Sequence, residues 1–250
     1  MSSQSNNIPS RFNHISCRVL YEDNHLIIVN KKPSEIVQGD KTGDLPLAEL
    51  IKEYIGHKYQ KPGKVFLGVV HRIDRPTSGV VIFSRTSKAL ARLNQMLKDR
   101  SLKKKYLAVV KNPPNPTEGQ LSHYLLKNEK QNKSYVVDQN KPGAKKAELL
   151  YKTLGRSDNY YLIEVELLTG RHHQIRAQLA AIGSPIKGDL KYGFDRSNPD
   201  GSIHLHALSV EFEHPIKKEQ VKITAPVPEE RVWLAMPQKT LMTNAFQNTR

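Results

Sequence analysis

Two apolar runs, Val65 to Val70 and Val80 to Phe83, stand on either side of the charged stretch His71-Arg72-Ile73-Asp74-Arg75-Pro76-Thr77-Ser78-Gly79. Runs of this length, rich in valine and phenylalanine and punctuated by Pro and Gly, read as two strands joined by a loop and turn. A chain organised around such a pair must build a sheet, and Asp74 then lies at its mouth. Loops held by rigid strands are where binding and catalytic groups concentrate. Arg72 and Arg75 flank the acid, and neighbouring positive charge favours the ionised carboxylate, the form that acts as a nucleophile. An isolated Asp in a turn equally fits a surface ion pair or a cap. The surrounding residues have to decide.

The rest of the chain supplies a mixed set of elements. Arg18 to Leu20 and Leu26 to Asn30 read as a hairpin turned at Glu22, Asp23 and Asn24. Leu47, Leu50, Ile51 and Tyr54 recur at helical spacing within Pro46 to Ile55. Thr86 or Ser87 can cap a helix through Arg100, whose stripe of Ala89, Leu90, Leu93, Met96 and Leu97 belongs to the core. Leu102 to Val110, LKKKYLAVV, alternates like a strand after its lysines and contains Tyr106; Pro113, Pro114 and Pro116 end it. Gln120 to Ala147 is lysine-rich with little periodicity and reads as hairpins with long exposed loops. Strands return at Ala147 to Thr153 and Tyr160 to Leu168; a glycine turn then leads into a helix carrying Ile175, Leu179 and Ile182 on one face and ending at Gly183. Val221 to Pro228 reads as a last strand and Arg231 to Leu234 as a short helix.

Charge narrows the partner. The formal net charge of +15 over 250 residues favours a polyanion. The basic residues cluster at Lys103 to Lys105, Lys141 to Lys146, Arg171 to Arg176 and Lys217 to Lys218. The single cysteine, Cys17, excludes an intramolecular disulfide and a multi-cysteine zinc site and suits a reducing cytoplasm. No apolar stretch approaches the ~20 residues of a membrane-spanning helix. The spacings of His172, His173, His204 and His206 match no zinc pattern, so no metal is expected. The Ser/Asn-rich start marks residues 1–17 as a mobile tail, 18–236 as one domain, and 237–250 as a second tail.

HRIDRPTSG closely resembles the signature of the RluA-type pseudouridine synthases. Further matches follow in the family's order. Tyr21 to Pro33, YEDNHLIIVNKKP, resembles its opening motif, with Ser34 and Glu35 where the family usually continues Ala-Gly, a departure that bears on the turn after Pro33. Lys-Tyr-Leu-Ala-Val places the family's tyrosine at Tyr106, and LTGRHHQIRAQL resembles Gly-Arg-X-His-Gln-(Ile/Leu)-Arg, with Gln178 where histidine is frequent. Ile203 to Pro215, IHLHALSVEFEHP, resembles the closing strands, so its histidines read as structural. The resemblance spans roughly Arg18 to Pro228.

It implies an α+β architecture, the pseudouridine synthase fold: a mixed, mostly antiparallel sheet in two halves, with surrounding helices and a central active-site cleft. It implies that Asp74 is the nucleophile that isomerises a flipped-out uridine of rRNA or tRNA and that Arg176 holds it, for which a bidentate pair would fix both rotamer and charge. Tyr106 then stacks on the uracil or relays its proton, Arg72 props the vacated stack, and Ile175 gives an apolar wall. Arg75 and Lys104 are expected at the substrate, with Lys103 to Lys105 neutralising phosphates. Lys32 borders the site, and His71 and His173 tether loops. An isomerisation needs no cofactor. The expected protein is a cytoplasmic monomer whose partner is RNA, neither DNA nor membrane. No S4-type domain precedes Arg18, so target choice is expected from the loops of the catalytic domain.

Competing readings are weaker. The protein-kinase catalytic loop also begins His-Arg, but there Asp follows Arg directly and an Asn comes later, whereas here Ile73 intervenes. A glycoside hydrolase needs two carboxylates about the bond, and no second acid accompanies Asp74 in these motifs. The alternative from another class is a basic RNA-binding protein that keeps the fold without catalysis; loss of modification on mutating Asp74 to Ala separates the two.

Overall fold

The computed structural model of the chain describes residues 13–40 and 42–237, so most of the tails read at 1–17 and 237–250 lies outside the described residues. The N-terminal strands are β1 (Val19–Glu22), β2 (Leu26–Lys31), β3 (Gly68–Val69) and β4 (Ser78–Ser84). After helix α3 come β5 (Lys103–Val110), β6 (Glu118–Asn128), β7 (Lys133–Val137), β8 (Lys145–Arg156) and β9 (Tyr161–Leu167), then β10 (Leu205–Glu213) and β11 (Gln220–Thr224). The helices are α1 (Asn13–Ser16), α2 (Leu47–Lys58), α3 (Ser87–Lys98), α4 (Gln174–Ala181) and α5 (Arg231–Leu234).

One sheet joins all eleven strands in the order β1-β2-β4-β10-β5-β9-β8-β6-β7, with β3 on β4 and β11 on β10. The described pairings are antiparallel except β4 with β10, which run parallel through Ser78–His206 and Gly79–Ala207. That contact is the seam between the N-terminal and C-terminal halves, and three features close it. The Ser78 hydroxyl lies 2.8 Å from His206 Nδ1, and His206 Nε2 lies 3.2 Å from the Ala225 carbonyl, so the buried imidazole bridges two connections. Gly79 adopts φ +114°, and a Cβ there would fall 2.2 Å from the Ala207 carbonyl oxygen. No residue with a side chain fits that approach.

Strand alternation then sorts the residues onto two faces. Ile27, Val29, Val81, Phe83, Tyr106, Ala108, Val110, Ile163 and Val165 are buried together with Leu47, Ile51, Tyr54 and Ile55 of α2 and Ile175 and Leu179 of α4. This is the cleft face. Leu26, Ile28, Val80, Ile82, Val210 and Phe212 pack against Ala89 and Leu93 of α3 on the other side. Thr86 caps α3 by accepting from the Ala89 N–H, as its sequence suggests.

Three boundaries differ from the sequence reading. Ile15 is buried in the cleft-face core, so ordered packing starts within the stretch read as a mobile tail. The strand read over Val65 to Val70 shrinks to β3, which pairs only with Phe83 and Ser84, while the next β4 N–H on that side, Ile82, is taken by the His71 ring. Gln120 to Ala147 holds two well-paired strands instead of long loops. Their side chains are largely exposed on both faces, which erased the apolar alternation. No described helix is long and apolar enough to cross a membrane.

Candidate active site

The loop between β3 and β4 is anchored through its own backbone. The Asp74 carbonyl accepts from Thr77 N–H (3.0 Å), the Arg75 carbonyl from Ser34 N–H (2.9 Å), and the Pro76 carbonyl from Ile203 N–H (3.1 Å). His71 Nε2 accepts from the Ile82 N–H at 3.2 Å, the tether expected of it. Burial, helped by the Lys104 charge, pushes the His71 pKa down to about 3, so this acceptor is neutral at physiological pH. With both ends and the centre fixed, the Asp74 side chain has a rigid base and about a quarter of its surface open to the cleft.

Its clamp comes from α4, 102 positions further along the chain. Arg176 Nη1 donates to Asp74 Oδ2 at 3.1 Å, while His173 Nε2 stands 3.6 Å from the same oxygen. The bidentate pair anticipated between Arg176 and Asp74 belongs instead to Asp189, which accepts from Nε (2.7 Å) and Nη2 (2.8 Å). One guanidinium edge is saturated by a carboxylate of 1% side-chain exposure, and the remaining nitrogen is presented to Asp74. Burial opposes the charged guanidinium, yet Asp189 and then Asp74 outweigh it and hold the pKa above the ordinary arginine value. Arg176 is therefore a permanent cation in a fixed orientation.

A polar relay supports that orientation from behind. Arg176 Nη1 also lies 3.1 Å from His173 Nε2, which must accept because a guanidinium only donates. His173 Nδ1 then donates to the Tyr192 hydroxyl (3.0 Å), which donates to the Ser134 carbonyl (3.1 Å). Burial and the adjoining Arg176 charge push the His173 pKa down to about 2, consistent with the neutral ring. His173 adopts a left-handed φ of +52° at the start of α4, an uncommon conformation for a residue with a side chain. Asp189 and Tyr192 were not singled out from the sequence. They sit in an aperiodic stretch, and no local pattern announces that their partners lie on α4.

The anticipated site residues separate into groups. Asp74, Tyr106, Ile175 and Arg176 line one cleft of about 930 Å³, together with Arg72, Arg75, Lys104 and Leu205. Tyr106 and Ile175 are almost wholly buried and give this cleft flat apolar walls. Burial and the charge of Asp74 raise the Tyr106 pKa, so its hydroxyl is a neutral phenol. Arg72 is exposed at the rim. Arg75 does not hold Asp74: its guanidinium pairs with Asp44 at 2.7 Å, because the loop ahead of α2 brings that acid alongside. The lysine run also splits, since alternation turns only Lys104 to the cleft while Lys103 pairs with Glu211 and Lys105 with Glu164. Among the described residues no three His, Cys, Asp or Glu side chains converge as a metal site would require.

Of the two lysines before Pro33, the one that reaches the Asp74 loop is Lys31, whereas Lys32 is exposed. Lys31 follows Ile27 and Val29 on the cleft face of β2 and is fully buried, its ammonium donating to the carbonyls of Lys32 (2.8 Å) and Arg75 (3.0 Å). It thus holds the Asp74 loop from beneath. Burial pushes its pKa down from 10.5 to about 7 against the opposing charges of Glu35 and Asp74. Between these two values the unfolded chain binds the proton that the folded chain has released, so stability should rise with pH above about 7. The rise is at most ~1.4 kcal/mol per pH unit for one such group. In Lys31→Met the urea midpoint should lose most of this increase between pH 7 and pH 9; an identical increase in both proteins would contradict the buried ammonium.

The chain is 34% identical over 215 residues to "Ribosomal large subunit pseudouridine synthase C" of Haemophilus ducreyi, a match covering 84% of this chain and 65% of the relative. It is 32% identical over 219 residues to the protein of the same description from Escherichia coli strain K12, covering 84% and 66%. The chain therefore spans about two thirds of the length of these relatives. Among solved structures, human RNA Pseudouridylate Synthase Domain Containing 4 superposes with a TM-score of 0.73 at 21% identity over 88% of this chain and 92% of that one. Human RNA Pseudouridylate Synthase Domain Containing 1 gives 0.65 at 22% identity over 84% and 83%; both share the fold. The model of the RNA pseudouridylate synthase family matches residues 25–181, a span that holds Asp74, Tyr106 and Arg176, and the chain belongs to that family.

Proposed function

We propose that this protein isomerises uridine to pseudouridine in RNA, with Asp74 as the reacting group. The observation that carries the reading is the Asp74 carboxylate on a rigid loop, held by Arg176 at 3.1 Å and opening into a cleft walled by Tyr106 and Ile175. A uridine within an RNA helix has to be turned out of its stack to reach such a cleft, at a cost of a few kcal/mol. Arg72, exposed where it lines the cleft, then fills the vacated position. Arg75 lines the same rim beside Asp44, and Lys104 lies deeper in the wall.

In the cleft, Asp74 acts on the sugar, either attacking C1′ or removing the 2′ proton to give a glycal. Either step breaks the bond from N1 to C1′. The uracil then rotates between its apolar walls and C5 bonds to C1′. As C5 bonds to C1′ the Asp74–C1′ bond breaks, or on the glycal route C2′ regains the proton that Asp74 had taken; the C5 proton leaves and N1 gains one, so atoms balance and no oxidant or reductant is needed. Tyr106, a neutral phenol, stacks on the ring and passes the C5 proton on through its hydroxyl. Arg176 holds Asp74 in place throughout.

The names of the Haemophilus ducreyi and Escherichia coli relatives make large-subunit ribosomal RNA the first substrate to examine, with tRNA second, in the cytoplasm of the source cell. Carbodiimide adduct mapping by primer extension should show at least one pseudouridine that disappears from total RNA when the gene is deleted. It should return with the wild-type gene and stay absent with Asp74→Ala. A modification pattern unchanged by deletion would refute the proposal.

A further inference from the structure

A second cavity of about 210 Å³ opens beside the cleft and shares Lys104, Gly170 and Arg171 with it. Its remaining cations, Lys98 and Arg100, come from the end of α3 and the turn behind it. Lys104 stands on the wall between the two spaces. Its neighbours on β5 each have a carboxylate at 3.4 Å or less, but among the described residues none lies within ion-pairing distance of the Lys104 ammonium. Burial lowers the pKa of Lys104 with no counter-charge to offset it. The ammonium stands 3.3 Å from where a Cβ on Gly170 would be, so the wall it faces is left open by a glycine.

The other cations are only loosely engaged. Arg171 uses Nε on the Lys146 carbonyl at 2.9 Å, and Arg100 stands 3.9 Å from Glu148, an acid that Lys146 approaches more closely at 2.9 Å. Four positive groups thus converge on a polar niche that supplies few negative ones. A half-buried cation without a partner is costly unless an anion completes it. Extruding a nucleotide demands that the backbone beside it be gripped, and phosphate contacts are what fix the register of a nucleic acid on a protein.

We propose that this niche is a phosphodiester subsite, in which Lys104 and Arg171, flanked by Lys98 and Arg100, hold the RNA backbone adjoining the extruded uridine. The inference rests on the RNA reading above and assigns to one wall of the cleft the task of holding the strand.

The test is the salt dependence of binding of a labelled oligouridylate, followed by anisotropy between about 50 and 200 mM KCl. It is carried out on the full chain in an Asp74→Asn background so that no turnover intervenes. Lys104→Met should weaken binding several-fold at the lowest salt and flatten the slope of log affinity against log salt by about 0.7, the value for one phosphate contact on a single strand. Lys104→Arg should restore most of both, and Lys103→Met, on the opposite face, should change neither. Inorganic phosphate at constant ionic strength should displace the oligouridylate less readily from Lys104→Met than from the parent. An unchanged slope in a Lys104→Met protein of normal melting temperature would overturn the proposal. So would inorganic phosphate that binds with the Lys104 dependence while the RNA slope stays fixed, which would mark a free-anion site. Neither outcome touches the uridine isomerase reading, which fails separately if Asp74→Ala still restores the modification.

Discussion

Asp74→Asn should abolish pseudouridine formation while leaving RNA affinity within a few-fold of wild type. The substitution keeps the shape of the side chain and an oxygen for Arg176 Nη1, 3.1 Å away, and removes only the negative charge. Asn can neither attack C1′ nor take up a proton from the sugar, so both routes close together. Loss of a nucleophile typically costs on the order of 10⁴-fold or more in the chemical step. Single-turnover release of tritium from RNA labelled at uracil C5 reads that step directly. Release within a hundredfold of wild type would remove Asp74 from the reaction.

The second large effect is expected at Asp189, a residue that need not touch substrate. Its carboxylate has 1% exposure and takes two hydrogen bonds from Arg176. Asp189→Ala leaves a buried guanidinium with Asp74 as its remaining acid contact. Removing one partner of a buried pair costs about 3–5 kcal/mol. For a chain of this size that lowers the melting temperature by roughly 10 °C. The freed guanidinium can also swing towards Asp74, so kcat should fall more than KM rises. Arg176→Met combined with Asp189→Ala should be more stable than Asp189→Ala alone, since the stranded charge is gone. A double variant as unstable as the sum of the singles would show that the two residues are not coupled, contrary to the 2.7 and 2.8 Å contacts.

Much of this site was legible because local chemistry and strand period agree with the final structure. The alternation that buries Tyr106, Ala108 and Val110 on one face also carries Lys104 to the cleft, and the turn at Pro76 to Gly79 places Asp74 at a strand entrance. Lys31 could have been found the same way. Counting inward positions from Ile27 and Val29 lands on it, not on Lys32, but a lysine beside a proline invites the reading of a solvated turn. What stayed hidden was non-local. Nothing near Asp189 indicates that Arg176 will take both of its oxygens, and nothing near Arg75 indicates that a loop 31 positions earlier delivers Asp44. The parallel junction of β4 with β10 joins segments more than a hundred positions apart, a choice no local propensity encodes.

That junction bears on how the molecule matures. Loop closure over such distances is slow and comes after local structure, so proteins dominated by remote pairings fold late and cooperatively. The carbonyl of Pro76 obtains its Ile203 partner, and Gly79 its Ala207 neighbour, only once the β10 segment, more than a hundred positions further on, has been synthesised. A growing chain that already displays Asp74 therefore lacks the support that holds its loop in place until the β10 segment has emerged and docked beside β4.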